Sequence, residues 1–458
     1  MIQRCPQLLV LMVALALPVR QAAAHPRLTK AAPAAESHLQ SLPGEVALTF
    51  NEGVSVALSR LTLFDANRQP VLLGTLRAAA GATKTLVAKI TGKLVAGRYT
   101  VKWQAAGADG HPTRGEYSFV IDAGAAGLSI GSSGPPAVAD DLAFGVESPA
   151  YAAIRAVQSV AIVALIGVLA LQLVVLPRFA RQATAGAATA AAAGRRALPI
   201  ATWATAAFGA ATIARLVAQH AAMFGVQEPW TRTTMGALLF QSGWGLAWWL
   251  AVAGTAAGFW ALGRIRAARA FGWPALAGAA LALSVSLAMS GHSAAAGRPV
   301  LAIAVHALHV IGAGGWVGSL AMLMLAAVPA ALSSSSVEGH ADVSRLVAAF
   351  SPTALAFASL IVVTGVIAAW RNIGSFDGLL HSTYGQLLMV KLAVLGVAAG
   401  TGAYNWKRVL PILGNATATR RLRGSAAVEL GAALVVLAIT AVLVATPMPA
   451  DAMGAMGR

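Results

Sequence analysis

The chain has one cysteine in 458 residues, Cys5, and it lies in a short apolar leader. A protein cut behind that leader can form no disulfide and offers no thiolate to a soft metal, so a metal site must use histidine, methionine, carboxylate or backbone ligands. Charge is also scarce: 11% of residues are charged against 58% hydrophobic, with a mean hydropathy of +0.71. That excludes ordinary soluble composition and points to a membrane protein. Acidic residues are scarcest, 16 against 33 Lys and Arg, for a formal net charge of +17. The excess does not imply a nucleic-acid partner, because the arginines lie mostly between apolar spans, where positive charge holds loops in the cytoplasm. No Walker A sequence and no Cys-containing or phosphorylated-aspartate pump signature occurs, so no nucleotide-driven device is visible.

What is present divides the chain. Residues 1–24 carry Arg4, the apolar run LLVLMVALAL and Ala22-Ala23-Ala24, the three parts of a secretory signal. Cleavage after Ala24 makes His25 the first residue of the mature protein. Residues 25–122 hold short alternating segments such as EVALTF, SRLTLFDA, RYTVKWQA and GEYSFVID, which predict a small all-β domain. Leu48, Phe50, Leu61, Leu63, Val101, Trp103, Tyr117 and Phe119 are its expected core at period-two spacing. Residues 123–148, rich in Gly, Ser and Pro, read as a linker.

From 149 to 447 the chain is all-α and membranous, with eight apolar stretches near 150–177, 198–221, 234–262, 272–291, 300–330, 345–370, 384–405 and 425–446. Eight spans behind an exported domain put both mature termini outside the cytoplasm. The loops agree: thirteen Lys or Arg fall on the predicted inner side, and Arg232, Arg298 and Arg371 on the outer. The tail 448–458 carries Met448, Met453 and Met456, thioethers able to catch cuprous ions.

A histidine at a free N-terminus offers its α-amine and a ring nitrogen to one metal, and a free amine titrates low enough for a divalent metal to displace its proton. Asp109 and His111, two apart in GADGHPTRGEYSF, would share a face if that segment is extended. Three nitrogens and a carboxylate in tetragonal geometry suit Cu(II). In the membrane half, His306 and His309 stand three apart in AVHALHVIGAGGWVG and share a helix face. Counted from Pro299 at 1.5 Å per residue they lie about 10 to 15 Å into the span, where an ionisable side chain is a functional candidate. His292, in AMSGHSAAAGRP, is assigned to the outer mouth, and His220 and Met223 pair near an outer helix end. His38 reads as a surface residue, and Lys391 as a snorkelling one.

HPRLTKAAPAAESHLQSLPGEVALTF with ADGHPTRGEYSF resembles the periplasmic copper-binding CopC family. The resemblance implies a Greek-key β-sandwich with Cu(II) held by His25, Asp109 and His111. It also departs from the family: residues 25–150 lack methionine, against a Met-rich second site, and Pro26 excludes amide coordination there. GHSAAAGRP, AVHALHVIGAGGWVGSLAM, HSTYGQLLMVKLAVLGVAAGTGAYNWKRVLP and ELGAALVVLAITAVLVATPMP resemble the CopD copper-resistance membrane family. The fusion implies copper import across a bacterial inner membrane, with capture outside and passage along His292, His306 and His309. Copper enters as Cu(II) at the outer domain and travels as Cu(I) or Cu(II) within the membrane. The expected partners are copper, membrane lipid and a periplasmic copper or electron donor, without nucleic acid. No enzymatic activity is implied, although reduction of copper in transit stays open. Two alternatives also stay open: a haem-binding electron carrier that reduces copper, since paired membrane histidines can ligate haem, and a resistance module that binds without transport.

Overall fold

The structure is a computed structural model, described here for residues 26–107, 110, 112–122, 145–146, 148–182, 186–291, 299–333, 336–444 and 446. The leader 1–24, His25, Asp109, His111, His292, nearly all of the linker 123–148 and the tail 448–458 lie outside the described residues.

Nine strands form the first unit: β1 (Leu28–Ala32), β2 (His38–Leu39), β3 (Glu45–Phe50), β4 (Arg60–Phe64), β5 (Pro70–Val71), β6 (Arg77–Ala79), β7 (Ala82–Lys89), β8 (Gly97–Ala106) and β9 (Pro112–Ile121). They make two sheets, in the orders β1-β3-β7-β6 and β2-β9-β8-β4-β5. In β3 every second residue, Val46, Leu48 and Phe50, is buried, as the period of two requires. These meet Leu63, Tyr99, Val101, Phe119 and Ile121 from the facing sheet. Leu61, Trp103 and Tyr117, expected in the core, are only partly buried and pack at its margin. Trp103 lies flat over Gly115, where a Cβ would come within 2.6 Å of its ring.

β8 and β9 pair antiparallel from Gly97 opposite Ile121 to Ala106 opposite Pro112. The hairpin tip is therefore 107–111. Within it, Gly110 has a left-handed φ of +76°, which glycine adopts freely, and donates its N–H to the Gly107 carbonyl at 3.1 Å. Asp109 and His111, expected to share a face, lie outside the described residues. The start of β1 lies at the same end of the sandwich. Arg27 N–H donates to Asn51 Oδ1 at 2.7 Å, and four residues on, Ser55 N–H donates to the Ala106 carbonyl at 2.9 Å.

Eight helices are long and apolar enough to cross a membrane: α1 (Pro149–Ala180), α2 (Gly186–Phe224), α4 (Gly243–Arg266), α5 (Gly272–Met289), α6 (Pro299–Ala331), α7 (Glu338–Ile373), α9 (Thr383–Ile412) and α10 (Ala416–Leu443). The short helices α3 (Arg232–Phe240) and α8 (Phe376–His381) lie between spans. The stretch expected as one span from 234 to 262 is split between α3 and α4, because Ser242 turns out of the helix and caps α4 by accepting from Gly245 N–H. Small residues bring the backbones close: Gly167 of α1 faces Gly318 of α6, and a Cβ on Gly318 would lie 2.1 Å from the Val163 carbonyl. Along α6 the hydrogen bonding widens to a π-turn at Gly314–Gly318 and again at Leu323–Ala327.

Candidate metal centre

The hairpin tip rests on the membrane unit. A Cβ on Gly110 would lie 2.9 Å from the Trp244 side chain of α4. The Gly110 carbonyl accepts a hydrogen bond from Gln219 Nε2 of α2 at 2.7 Å. Beside it, Arg114 of β9 donates through Nη2 to the Ala222 carbonyl at 2.8 Å and through Nε to Gln104 Oε1 at 3.0 Å. Gln104 of β8 in turn donates to the Met223 carbonyl at 3.0 Å. These bonds satisfy carbonyls that the end of α2 cannot use itself. Around them Leu58 and Ala106 pack with Met223, Phe224, Leu238 and Trp244 in one apolar cluster.

A buried chain of hydrogen bonds runs inward from Gly110. Tyr151 Oη of α1 donates to Gln219 Oε1, Arg215 Nε reaches Tyr151 Oη at 3.3 Å, and the Arg215 guanidinium clamps Ser290 through its hydroxyl at 2.7 Å and its carbonyl at 2.8 Å. Ser290 stands two residues before His292, so one network joins the segments that bear Asp109, His111 and His292. Arg215 is a clamp rather than a ligand, since a guanidinium has no lone pair to give a metal.

His306 and His309 are half-buried on α6, which begins at Pro299 as the spacing predicts. His309 Nδ1 lies 2.9 Å from Thr364 Oγ1 of α7. Thr364 places its own hydroxyl proton on the Leu360 carbonyl at 2.6 Å. With that proton on the carbonyl, a hydroxyl has none left for the ring, and the matching tautomer donates from His309 Nδ1 and leaves Nε2 its lone pair. Gly365 leaves room for the ring: a Cβ there would meet His309 Cε1 at 3.4 Å. Two turns further in, Trp316 Nε1 donates to Glu429 Oε1 of α10 at 3.2 Å, and Glu429 is 4% exposed.

The other histidines fall elsewhere. His220 is buried, stacked on Trp230 at 4.9 Å between ring centroids, tilted against Phe224 and 3.4 Å from Thr234 Oγ1. Met223 belongs to the interdomain cluster, so the two do not form a pair of ligands. His38 is exposed and pairs with Asp122 through Nδ1 at 3.0 Å. Among the described residues no three His, Cys, Asp or Glu side chains converge as a metal would require. Sequence reasoning passed over Thr364, Glu429, Gln219 and Arg215. Glu429 and Arg215 had a visible signal, a lone charge inside an apolar helix, whereas Thr364 and Gln219 had none.

The family model of the CopC domain matches residues 28–122. The model of the copper resistance protein D-like N-terminal domain matches 146–300, and that of copper resistance protein D matches 344–443. The chain belongs to the CopC–CopD copper-resistance family. It is 26% identical over 380 residues to the copper transport protein CutJ of Bacillus subtilis (strain 168), covering 80% of this chain and 65% of CutJ. To copper resistance protein D of Pseudomonas syringae pv. tomato it is 32% identical over 176 residues, covering 36% of this chain and 55% of that protein. To copper resistance protein C of Escherichia coli it is 31% identical over 106 residues, covering 22% of this chain and 83% of that protein. The chain thus spans between half and two thirds of the length of CutJ and copper resistance protein D. In this CopC–CopD protein the CopC unit carries the hairpin tip, and the D-like N-terminal match includes Gln219 and Arg215, on which that tip sits.

Proposed function

We propose that this CopC–CopD protein captures Cu(II) outside a bacterial inner membrane and imports copper through its helical domain. The capturing ligands are His25, through its ring and its free amine, with Asp109 and His111. Both the start of β1 and the hairpin tip emerge at one end of the sandwich, which supports their convergence. The observation that carries the handover is the 2.7 Å bond from Gln219 to the Gly110 carbonyl, which fastens the residue between Asp109 and His111 to the membrane domain. His292 receives copper at the mouth, two residues beyond the Ser290 clamp. His306 and His309 then relay it inward, His309 presenting Nε2 because Thr364 holds its other nitrogen. Copper is cargo here rather than a resident cofactor, and no catalytic residue is assigned. Both mature termini face the periplasm, where a copper donor or an electron donor would meet the CopC unit.

Copper uptake into sealed vesicles of known orientation tests this. Vesicles bearing the unaltered protein should accumulate copper, and those bearing H306A/H309A should fall to the empty-vesicle rate. Uptake by the unaltered protein at the empty-vesicle rate would leave a binding module without a conduit, and equal uptake by the two above that rate would take copper off the His306 and His309 path. An intense Soret band in the purified protein would instead favour the haem-carrier reading.

A further inference from the structure

Glu429 sits near the middle of α10, about 20 Å from either end of a helix rising 1.5 Å per residue. Its carboxylate is closed in by Trp316 on α6 and by α9, where a Cβ on Gly402 would lie 3.8 and 3.9 Å from its two oxygens. Among the described residues its one hydrogen-bond donor is the neutral Trp316 Nε1. The charged or titratable groups on the packed helices are Tyr384, Lys391, Tyr404, Lys407 and Arg408 on α9, His306 and His309 on α6, Tyr151, Arg155 and Arg178 on α1, and Glu338, His340, Asp342, Arg345 and Arg371 on α7. Arg155, His306, Glu338 and His340 have interactions of their own, and among the described residues none of the others forms an ion pair or hydrogen bond with it. A bare negative charge cannot be held in such a place, so the group must be neutralised by a proton or by a passing cation.

Position says which cation. On α6, His306, His309 and Trp316 stand about 10, 15 and 25 Å from Pro299, so Glu429 meets the helix inward of the histidine pair. Trp316 itself lies within the π-turn at Gly314–Gly318, inward of His309, and meets Glu429 of α10 from there. A transition-metal cation leaving His309 therefore next meets a carboxyl group as the available source of negative charge.

We propose that Glu429 is the proton-exchanging counter-charge of the pathway, coupling inward copper movement to outward proton movement. This rests on the import reading. As the cation advances past His309, the Glu429 O–H bond breaks and its proton leaves toward the outside. The carboxylate that remains offsets one positive charge of the cation, and it takes up a proton from the inner side once the cation has gone. No electrons move, and each cycle carries one proton against each metal ion.

The test uses the full chain in sealed vesicles with an internal pH dye and added copper. The unaltered protein should raise internal pH as copper enters. E429Q keeps an oxygen for Trp316 but cannot ionise; its copper-driven pH change should fall at least tenfold, and any residual uptake should lose its dependence on pH. E429Q that moves copper with unchanged proton movement overturns this proposal alone. Unaltered protein that takes up no copper overturns the import reading and this proposal with it. Should E429Q fail to reach the membrane, labelling the unaltered protein with a hydrophobic carbodiimide decides. Labelling of Glu429 that copper suppresses supports the exchange, and labelling that copper leaves unchanged overturns it.

Discussion

A histidine in a membrane helix serves a metal only if one ring nitrogen keeps its lone pair and the ring is held. On the import reading Thr364 would do both for His309, its hydroxyl accepting from Nδ1–H while the ring sits against Gly365. We expect Thr364→Val, nearly isosteric but without an acceptor, to lower copper uptake about 10- to 100-fold, the usual cost of removing such a supporting bond. Thr364→Ser should retain most of it. Initial uptake rates in vesicles check both, and equal rates for Val and Ser would mean that Thr364 does not orient the ligand. The pair His306 and His309 was legible because a spacing of three on a helix is a local fact. Thr364 was not, because its approach depends on how α6 and α7 are rotated about their axes, which hydropathy does not record. Glu429 was visible as a lone charge at the head of the apolar run ELGAALVVLAITAVL, but its meeting with Trp316 depends on how α6 and α10 pack, which the sequence does not record.

Between elements, α1 and α6 are held by close packing of small residues, since lipid offers apolar side chains no reason to prefer protein. Gly167 and Gly318 meet there, and a Cβ on Gly318 would lie 2.1 Å from the Val163 carbonyl, an approach that only displacement of a whole helix relieves. Gly318→Leu should lower the thermal midpoint in detergent by an amount corresponding to about 1 to 3 kcal/mol, the ordinary cost of overpacking. Gly263→Leu, where nothing lies within 4 Å of the added Cβ, should leave the midpoint within error. Matching losses in the two would show that the crossing is not tight. The elements themselves were readable from the sequence: eight apolar runs and an alternating β-pattern sufficed. What the pattern missed, the break at Gln241 and Ser242, turns on a cap formed by one hydroxyl, a contact too local to alter hydropathy over a window of about 19 residues.

At the scale of the molecule, capture and delivery depend on different groups, and the fold lets them be separated. The terminal amine of His25 would touch only the metal, whereas Gln219 bonds the Gly110 carbonyl through Nε2 and accepts from Tyr151 Oη through Oε1, within the docking network. On the import reading, the docked CopC unit would hold its cargo at the mouth, and an undocked one would deliver only at the effective concentration its linker allows. One residue added ahead of His25 displaces the amine and should weaken Cu(II) binding about tenfold or more, leaving the docking contacts untouched. Gln219→Leu should do the reverse, keeping Cu(II) affinity within about twofold while lowering uptake about tenfold at limiting copper. Competitive Cu(II) titration and initial uptake rates, measured on the same two variants, give a crossed pattern if the handover runs through the docked turn. If Gln219→Leu leaves uptake unchanged, copper enters the membrane domain without passing along the docked hairpin, and the network from Gly110 to Ser290 serves only to hold the two units together.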